Sequence, residues 1–342
     1  MKVLLTGGGG FMGHHALLYL LKNTDWEFVL TDSFNHVGIS ARLRAVFDEV
    51  PNERKRVKII THDLTTPIDR VTASEFGKIN TIINTASLAN VDESIKEPPS
   101  FIQNNINLAI NMFEYARNLD SLNTFIHIST DEVFGDANNG LNHNEWSSLI
   151  PSNPYSASKA GQEAIAQAYW RTFDIPVIIT NTTNMFGERQ DQKAFIPKVI
   201  NYLINDKIIP VHAQYIDNNF KASSRFYLYT QNQIDAIQFL IERFSDIPHR
   251  YSDGLDKIEK FNVAGDIEIG NDEIVFKVAN ILNIKKDKLF EYVDPSIHRP
   301  GLDIRYSLDG NKLKNFGWKQ PFSFDEALEK TVIWTKNNPI WL

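Results

Sequence analysis

The fold is decided by the stretch Thr6-Gly7-Gly8-Gly9-Gly10-Phe11-Met12-Gly13. It follows an apolar run, Lys2 to Leu5, that predicts a β-strand, and the residues after it have the spacing of an amphipathic helix. The glycines at 7, 10 and 13 allow backbone N–H groups to approach a pyrophosphate and let the helix lie close to the strand. A strand, a glycine turn and a helix in this order predict a dinucleotide-binding site.

Around this loop, β-rich runs alternate with helical patterns through the first half of the chain. The predicted strands are Lys2 to Thr6, Glu27 to Thr31, Val57 to Thr61, Thr81 to Asn84, Thr124 to Ser129 and Val177 to Asn181. The predicted helices between them are Phe11 to Lys22, Phe101 to Leu119 and Tyr155 to Thr172. This alternation predicts βαβ units with right-handed crossovers, and therefore an α/β protein with a Rossmann-type, doubly wound parallel sheet.

The alternation is less regular after Thr182. The predicted helices of this half are Phe195 to Asn205, Gln231 to Phe244, Asn271 to Leu282 and Ser323 to Asn337. The last one begins with a capping box, Ser323 and Glu326, whose side chains can each satisfy a free backbone N–H. We expect this half to form a smaller C-terminal α/β domain.

Length and composition limit the kinds of protein this can be. With 342 residues and 42% apolar composition, the chain is long enough for about two domains with sizeable cores. Its 35 Lys and Arg against 42 Asp and Glu give a net charge of −7, which argues against nucleic acid or an anionic membrane as a partner. There is no Cys, and the 9 His form no metal-binding motif. We expect a cytoplasmic protein with no metal and no membrane span.

The position of Asp32 indicates which dinucleotide binds. This residue ends the second predicted strand, about 20 residues beyond Gly13. An acid at this offset can hydrogen-bond the adenosine ribose, and its charge repels the 2′-phosphate of NADP. The expected cofactor is therefore NAD.

A phenol and an ammonium lie on one face of a predicted helix in Pro154-Tyr155-Ser156-Ala157-Ser158-Lys159. Lys159 can lower the pKa of Tyr155 and bind the nicotinamide ribose, so that the phenolate acts as a general base on a substrate hydroxyl. The strand Thr124 to Ser129 runs into Thr130-Asp131-Glu132, and strand ends in such sheets face the ligand crevice. Two adjacent carboxyls there tend to have separated pKa values, so one can act as an acid and the other as a base.

Together these motifs resemble the extended short-chain dehydrogenase/reductases, and within them the nucleotide-sugar 4,6-dehydratases, those acting on dTDP-glucose above all. The resemblance covers nearly the full length through TGGGGFMG, STDEVFG, NPYSASK, ITNTTNMFG, SRFYLY, FNVAG, HRPGLDIRYSLD and FGW. The triplet Thr130-Asp131-Glu132 discriminates among the relatives, because related 4-epimerases usually lack the acid pair. The resemblance implies an NAD-dependent hydro-lyase that makes an NDP-4-keto-6-deoxyhexose.

The same resemblance implies a role for each catalytic residue. Thr130 would bond the sugar 4-hydroxyl, and Tyr155, assisted by Lys159, would take its proton as the C4 hydride passes to NAD. Glu132 would then remove the C5 proton, and protonated Asp131 would donate to the departing C6 hydroxyl. The hydride would return to C6, so that no external reductant is consumed.

The resemblance also supplies binding residues for both ligands. The NAD contacts would be Gly7, Gly10, Phe11, Met12, Gly13, Asp32, Ser33, Phe34, Asn35, Asp63, Leu64, Thr85, Ala86, Ser87, Asn104, Tyr155 and Lys159. The substrate contacts would be Ala89, Thr130, Asn184, Phe195, Pro210, Val211, His212, Arg225, Asn262 and Arg299. The chain departs from the family pattern at Ala89, where a hydroxyl is usual, and at Ala194, where a basic residue usually precedes Phe195.

Two alternative functions stay open, and the resemblance has two further implications for assembly and domain organisation. A nucleotide-sugar 4-epimerase would use the same oxidation without water loss, and an NAD-sensing or scaffolding protein would keep the fold without turnover. The family implies a homodimer through the helices Phe101 to Leu119 and Tyr155 to Thr172. It also implies an NAD-binding domain of residues 1–181 with 226–263 returning to it, and a substrate domain of 182–225 and 264–342.

Overall fold

The computed structural model describes residues 1–35, 39–137, 140–216, 218–248, 256–294 and 303–342. Its strands are β1 Lys2–Thr6, β2 Glu27–Asp32, β3 Val57–Thr61, β4 Thr81–Asn84, β5 Thr124–Thr130, β6 Val177–Thr182, β7 Met185–Phe186, β8 Ile209–Ile216, β9 Asn219–Ala222, β10 Ser224–Phe226, β11 Leu228–Tyr229, β12 Glu259–Val263, β13 Glu268–Gly270, β14 Phe290–Val293 and β15 Arg305–Tyr306. Its helices are α1 Phe11–Asn23, α2 Ile39–Glu49, α3 Arg70–Phe76, α4 Val91–Lys96, α5 Pro98–Ala116, α6 Pro154–Phe173, α7 Phe195–Ile204, α8 Thr230–Glu242, α9 Asn271–Ile281, α10 Asn311–Asn315 and α11 Phe324–Asn337.

A seven-stranded sheet in the order β12-β6-β5-β4-β1-β2-β3 is the largest sheet in the described residues, and its edge strand β12 comes from the second half of the chain. Strand β1 pairs in parallel with β2 and β4, and the parallel pairing continues outward to β3 and β5. Every residue of β4, β5 and β6 is buried, as expected for strands covered by helices on both faces. The predicted doubly wound parallel sheet is therefore confirmed.

The register brings the carboxyl ends of the strands to one edge of this sheet. Thr6 at the end of β1 lies opposite Thr31 on β2 and Asn84 on β4. Asn84 in turn lies opposite His127 on β5. The glycine loop and the loops that follow β2, β4 and β5 consequently start from the same edge, where ligands bind in open sheets of this type.

The chain divides into two compact units, and each is interrupted in sequence. The first unit contains Met1–Val133, Asn153–Asn181 and Ile234–Phe261, and the second contains Phe134–Ser152, Thr182–Gln233 and Asn262–Leu342. The units thus place Phe134–Ser152 with the second half of the chain, whereas the sequence-based domains kept it in the first. The functional domain bounds drawn from the sequence stay a prediction.

The second unit has its own apolar core of helices and short strands. Its strands form the small sheets β14-β8-β9, β13-β10-β15 and β11-β7. Side chains of α7, α9 and α11 pack with those of β8 into one buried cluster, which includes Val199, Val211, Val278 and Leu328. Helix α11 begins with the predicted capping box, because Ser323 and Glu326 each accept a backbone N–H of the other. The smaller α/β unit expected for this half is present.

Across the described ranges, the model contains no helix that is both long enough and apolar enough to cross a bilayer.

Candidate active site

The loop between β1 and α1 is held in a shape that only glycine allows. Gly7 has a φ of +60°, and a Cβ on it would lie 2.8 Å from the Cα of Ala86. A Cβ on Gly13 would lie 2.2 Å from the carbonyl oxygen of Gly7, so α1 packs directly on the loop. This cradle of bare backbone at a helix N-terminus fits the pyrophosphate of a dinucleotide, as the sequence predicts.

Asp32 is tied to the same loop at the end of β2. Its Oδ2 accepts the backbone N–H of Gly9 at 3.0 Å, and its Oδ1 accepts that of Phe34 at 3.0 Å. Each carboxylate oxygen has a second lone pair, so the group can still accept from ribose hydroxyls. The buried position and the fixed orientation of Asp32 therefore fit the adenosine ribose of NAD.

Other predicted NAD contacts border this edge of the first unit. Thr85 donates its hydroxyl to the carbonyl oxygen of Thr6 at 2.6 Å, and the N–H of Ala86 donates to the Thr6 hydroxyl at 3.2 Å. Leu64 is buried, and its carbonyl oxygen accepts from Asn111 at 2.9 Å. The first unit also contains the predicted substrate contact Ala89 and seven further predicted NAD contacts: Phe11, Met12, Ser33, Asn35, Asp63, Ser87 and Asn104. Their contacts with a ligand stay predictions.

The triplet Thr130-Asp131-Glu132 leaves the end of β5 and enters a short 3-10 turn, Asp131–Phe134. All three side chains are buried. The Thr130 hydroxyl donates to Asp131 Oδ1 at 3.0 Å and accepts the N–H of Glu132 at 3.4 Å. Two carboxyls and a hydroxyl are thus concentrated in a poorly hydrated site.

Helix α6 presents the other predicted catalytic residues from its first turns. The cap is Asn153, whose side chain accepts the N–H of Ser156 at 2.9 Å, while its Nδ2 donates to Glu132 Oε2 at 3.1 Å. The Lys159 ammonium is buried and donates to the carbonyl oxygen of Ile128 at 2.7 Å. The cap of α6 and the triplet are therefore joined by a direct hydrogen bond.

Tyr155 and Lys159 on α6 both have displaced pKa values. Burial lowers the pKa of Lys159 from 10.5 to about 8, and the charge of Glu163 works against that shift. Burial and then the charges of Glu132 and Asp131 raise the pKa of Tyr155, against a smaller effect from its hydrogen bond with Thr130. Tyr155 is consequently a protonated phenol in these surroundings, and it needs nearby positive charge to become a base.

Two predicted substrate residues of the second unit are engaged with backbone. Arg225 donates to the carbonyl oxygens of Ser224, Ile304 and Asp303 at 2.7, 2.6 and 3.0 Å. Asn262 is fully buried, and its Nδ2 donates to the carbonyl oxygens of His143 and Asp309 at 2.9 and 3.1 Å. Both side chains brace loops of this unit, and their contact with a substrate stays a prediction.

The remaining predicted substrate residues differ in accessibility. The Oδ1 of Asn184 is buried and has no hydrogen-bond partner, so it can accept from a ligand. Val211 is fully buried in the core of the second unit, whereas Pro210, His212 and Phe195 are partly exposed. Arg299 lies outside the described residues. The described part of the chain shows no cluster of three or more His, Asp or Glu that could hold a metal.

Sequence reasoning missed several buried polar residues that support this site. Glu163, Asn181 and Lys260 form a hydrogen-bonded group next to β5. Asn153 was recognised only as part of a motif, although its amide contacts Glu132. One signal in the sequence could have found Glu163: the spacing of Tyr155, Lys159 and Glu163 places all three along one face of a helix.

The doubly wound sheet, the glycine loop and the Tyr155 and Lys159 pair on one helix define an extended short-chain dehydrogenase/reductase. The family model described as GDP-mannose 4,6 dehydratase matches residues 4–331, and the chain belongs to this family of nucleotide-sugar 4,6-dehydratases.

Individual relatives support the same family. A dTDP-D-glucose 4,6-dehydratase of Dictyostelium discoideum is 32% identical over 98% of this chain and 82% of its own length. A trifunctional UDP-glucose 4,6-dehydratase of Arabidopsis thaliana is 30% identical over 99% of this chain, which spans 48% of that longer protein. The crystal structure of DesIV, a dTDP-glucose 4,6-dehydratase of Streptomyces venezuelae with NAD and TYD bound, has a TM-score of 0.84 at 28% identity and covers 100% of this chain and 98% of its own. Two solved 4-epimerases at 21% and 24% identity share the fold alone.

Proposed function

We propose that this protein is an NAD-dependent lyase that converts an NDP-hexose, with dTDP-glucose as the favoured substrate, to the NDP-4-keto-6-deoxyhexose. One observation carries the proposal: the buried triplet Thr130-Asp131-Glu132 leaves β5 in hydrogen-bond contact with the cap of the helix that bears Tyr155 and Lys159. Membership of the 4,6-dehydratase family and the names of the relatives support the same reaction.

The first step of the proposed reaction is oxidation at C4. Thr130 orients the sugar 4-hydroxyl, and the Tyr155 oxygen takes its proton. The glycine loop and Asp32 would hold NAD, which would supply a hydride acceptor for C4 and a hydride donor for C6. Because burial and two carboxylates raise the pKa of Tyr155, the phenolate needs nearby positive charge. We assign that role to the ammonium of Lys159, which is charged below a pH of about 8.

The acid pair then carries out the water loss. A 4-keto group acidifies the neighbouring C5 proton, which Glu132 removes as the general base. Asp131 is protonated in this step and donates its proton to the departing C6 hydroxyl, which leaves as water. When the hydride adds at C6, Glu132 returns a proton to C5, and exchange of that proton with solvent introduces one deuterium in heavy water. The burial of both carboxyls favours such a split, since two adjacent charges in a poorly hydrated site do not both ionise readily.

Recognition of the nucleotide diphosphate is assigned to the second unit. Arg225 and Arg299 would bind the diphosphate in pairs of charge-assisted hydrogen bonds, because guanidinium groups match phosphate oxygens. Asn184 has an unpartnered buried oxygen that can accept from the substrate. Phe195, Pro210 and His212 would lie near the base.

Two properties expected from the sequence accompany this proposal. The protein would act in the cytoplasm and would form a homodimer in which α5 and α6 pack against their counterparts. Exposed apolar side chains on these helices, Ile102, Ile110 and Phe173, support such a face.

Incubation with dTDP-, UDP-, CDP- and GDP-hexoses tests the function. Mass spectrometry should show the loss of one water from dTDP-glucose first, with one deuterium incorporated from heavy water. A Glu132→Gln variant should stop water loss while leaving C4 oxidation detectable as NADH absorbance, and Glu145→Gln serves as a matched control outside the triplet. A C4 epimer without dehydration would establish the epimerase, and retained NAD without turnover on any substrate would establish the non-catalytic alternative.

A further inference from the structure

A buried carboxylate on α6, not used in the reaction above, collects donors from three strands of the sheet. Glu163 and its partner Lys260 are each only 4% exposed, with Lys260 Nζ at 2.6 Å from Glu163 Oε2. Glu163 Oε1 accepts from Ser129 Oγ at 2.5 Å and from Asn181 Nδ2 at 2.6 Å. These donors belong to β5, β6 and β12, which are neighbours in the sheet.

Stability alone is a poor reason for such an ion pair. Removing two charges from water costs several kcal/mol each, on the order of what their attraction restores, and apolar replacements of buried pairs are often neutral or stabilising. The pair lies instead beside the residues that the reaction needs. Ser129 immediately precedes the triplet, and Asn181 Nδ2 also donates to the carbonyl oxygen of Thr130 at 3.3 Å.

Glu163 also lies one helical turn beyond Lys159 on α6. Its negative charge is the influence that opposes the burial-driven fall in the pKa of Lys159. On the adjacent strand β5, burial and the charge of Lys159 hold the pKa of His127 well below its usual value, so this imidazole is neutral. Tyr155 is a protonated phenol, so Glu163 is the charged group that favours the ammonium form.

We propose that Glu163, fixed by Lys260, is a positioning residue that anchors the end of β5 carrying Thr130 to Glu132 and provides the counter-charge for the Lys159 ammonium. The role of Glu163 in catalysis rests on the proposed function, but the effect of Glu163 on the Lys159 ammonium does not. Lys260 has a different role, because it neutralises Glu163 in the buried interior and does not act on the reacting groups.

Three variants separate these two roles: Glu163→Gln, Lys260→Met and the double variant Glu163→Gln/Lys260→Met. The first leaves the Lys260 ammonium without its carboxylate and is expected to lower stability. The second keeps the carboxylate with its Ser129 and Asn181 donors. The double variant removes both charges, so its resistance to urea should recover relative to Glu163→Gln, and it provides a folded protein that lacks the counter-charge.

The readout is the titration of Lys159 in the full chain, followed by NMR of protein labelled with ¹³C at lysine Cε. Surface lysines titrate at about 10.4, whereas burial lowers the pKa of Lys159 to about 8, and a Lys159→Arg sample assigns its signal. We expect this midpoint to fall by about one pH unit in Glu163→Gln and in the double variant, and not to fall in Lys260→Met. An unchanged midpoint in the double variant would overturn the proposal.

Kinetics test the anchoring of β5. In the double variant, kcat for dehydration should fall by about tenfold to hundredfold with little change in KM, since the reacting groups are misplaced while the nucleotide site is untouched. A wild-type kcat in a variant whose Lys159 midpoint has shifted would refute the anchoring role. If the wild-type protein dehydrates nothing while the midpoints shift as described, the proposed function fails and the assignment of Glu163 as counter-charge stands.

Discussion

At the residue scale, the side chain of Asn153 serves two purposes through its two ends. The oxygen caps α6 by accepting the N–H of Ser156, and the amide nitrogen donates to Glu132. The donated hydrogen bond favours the ionised form of Glu132, which the proposed base requires. A cap residue thereby links the start of a helix to the charge state of a residue on the neighbouring strand end.

Replacing Asn153 separates its two contributions. Asn153→Asp keeps a good cap but places a second carboxylate against Glu132, and like charge raises the pKa of a carboxyl. We expect the acidic limb of kcat/KM to move to higher pH by about one pH unit. Asn153→Ser, which keeps a cap and adds no charge, is the control. Identical pH profiles for Asn153→Asp and the wild type would contradict this account.

The buried ammonium of Lys159 also makes stability depend on pH. Its pKa is about 8 when folded against 10.5 otherwise, so the unfolded chain holds more protons between these values and stability rises with pH across this window. Burying the charged ammonium lowers the unfolding free energy, and this loss is fully present below pH 8. Lys159→Met removes it.

The unfolding free energy of Lys159→Met relative to wild type should therefore be highest below pH 8 and should decline toward pH 10. The pH-dependent part of this difference is on the order of 3 kcal/mol. Urea unfolding at pH 7, 8, 9 and 9.5 measures it, and Lys22→Met, at an exposed ion pair, provides the control. A difference that stays constant across this range would show that folding does not lower the pKa of Lys159.

At the element scale, the sheet and its glycine loop were predictable because each has a local physical cause. Long buried runs such as β5 and β6 are indicated by their β-branched and apolar residues. Helices α3 and α4 were not predicted, because they are short and depend on single caps, Asp69 and Asn90, rather than on a sustained apolar stripe. The contacts of Glu163 were likewise not predictable, since Lys260 reaches it only through the order of the strands.

The close approach of α1 to the glycine loop predicts that a side chain at Gly13 weakens NAD binding. In Gly13→Ala the new Cβ would meet the Gly7 carbonyl oxygen at 2.2 Å, so the helix must move away from the loop. We expect NAD affinity measured by calorimetry to fall more than about tenfold, with a loss of about 1–3 kcal/mol in unfolding free energy. Gly310→Ala is the control, since its Cβ would make only ordinary contacts at 3.6 Å or more. Unaltered NAD affinity in Gly13→Ala would contradict the assignment of this loop as the pyrophosphate site.

In the whole molecule, the two compact units are built from interleaved segments. The domain bounds drawn from the sequence stay a prediction. The return of the chain to the first unit was expected from family motifs, while the assignment of Phe134–Ser152 to the second unit depends on distant contacts such as the bridge between His143 and Leu308. No periodicity within that segment carries this information. Pairing with residues distant in the sequence decides which unit Phe134–Ser152 joins.

The proposed homodimer gives a prediction at this scale. Ile110 on α5 is 36% exposed and Phe173 on α6 is 45% exposed, so a charge on this face should disrupt an apolar interface. Light scattering should show the mass of two chains for the wild type and of one chain for Ile110→Arg at micromolar concentration. Val71→Arg, at a 70% exposed position on α3, should leave the wild-type mass unchanged. A monomeric wild type, or a dimeric Ile110→Arg, would contradict the proposed interface.

The place of β12 at the edge of the main sheet has a consequence for how the protein is made on the ribosome. The strand and its Lys260 are synthesised after Thr182–Gln233, which belongs to the other unit. Until that strand emerges, the nascent first unit lacks its last strand, and Glu163 lacks its ion-pair partner Lys260. A polypeptide stalled at residue 181 should accordingly remain protease-sensitive, and protection should begin only once the β12 segment has left the exit tunnel.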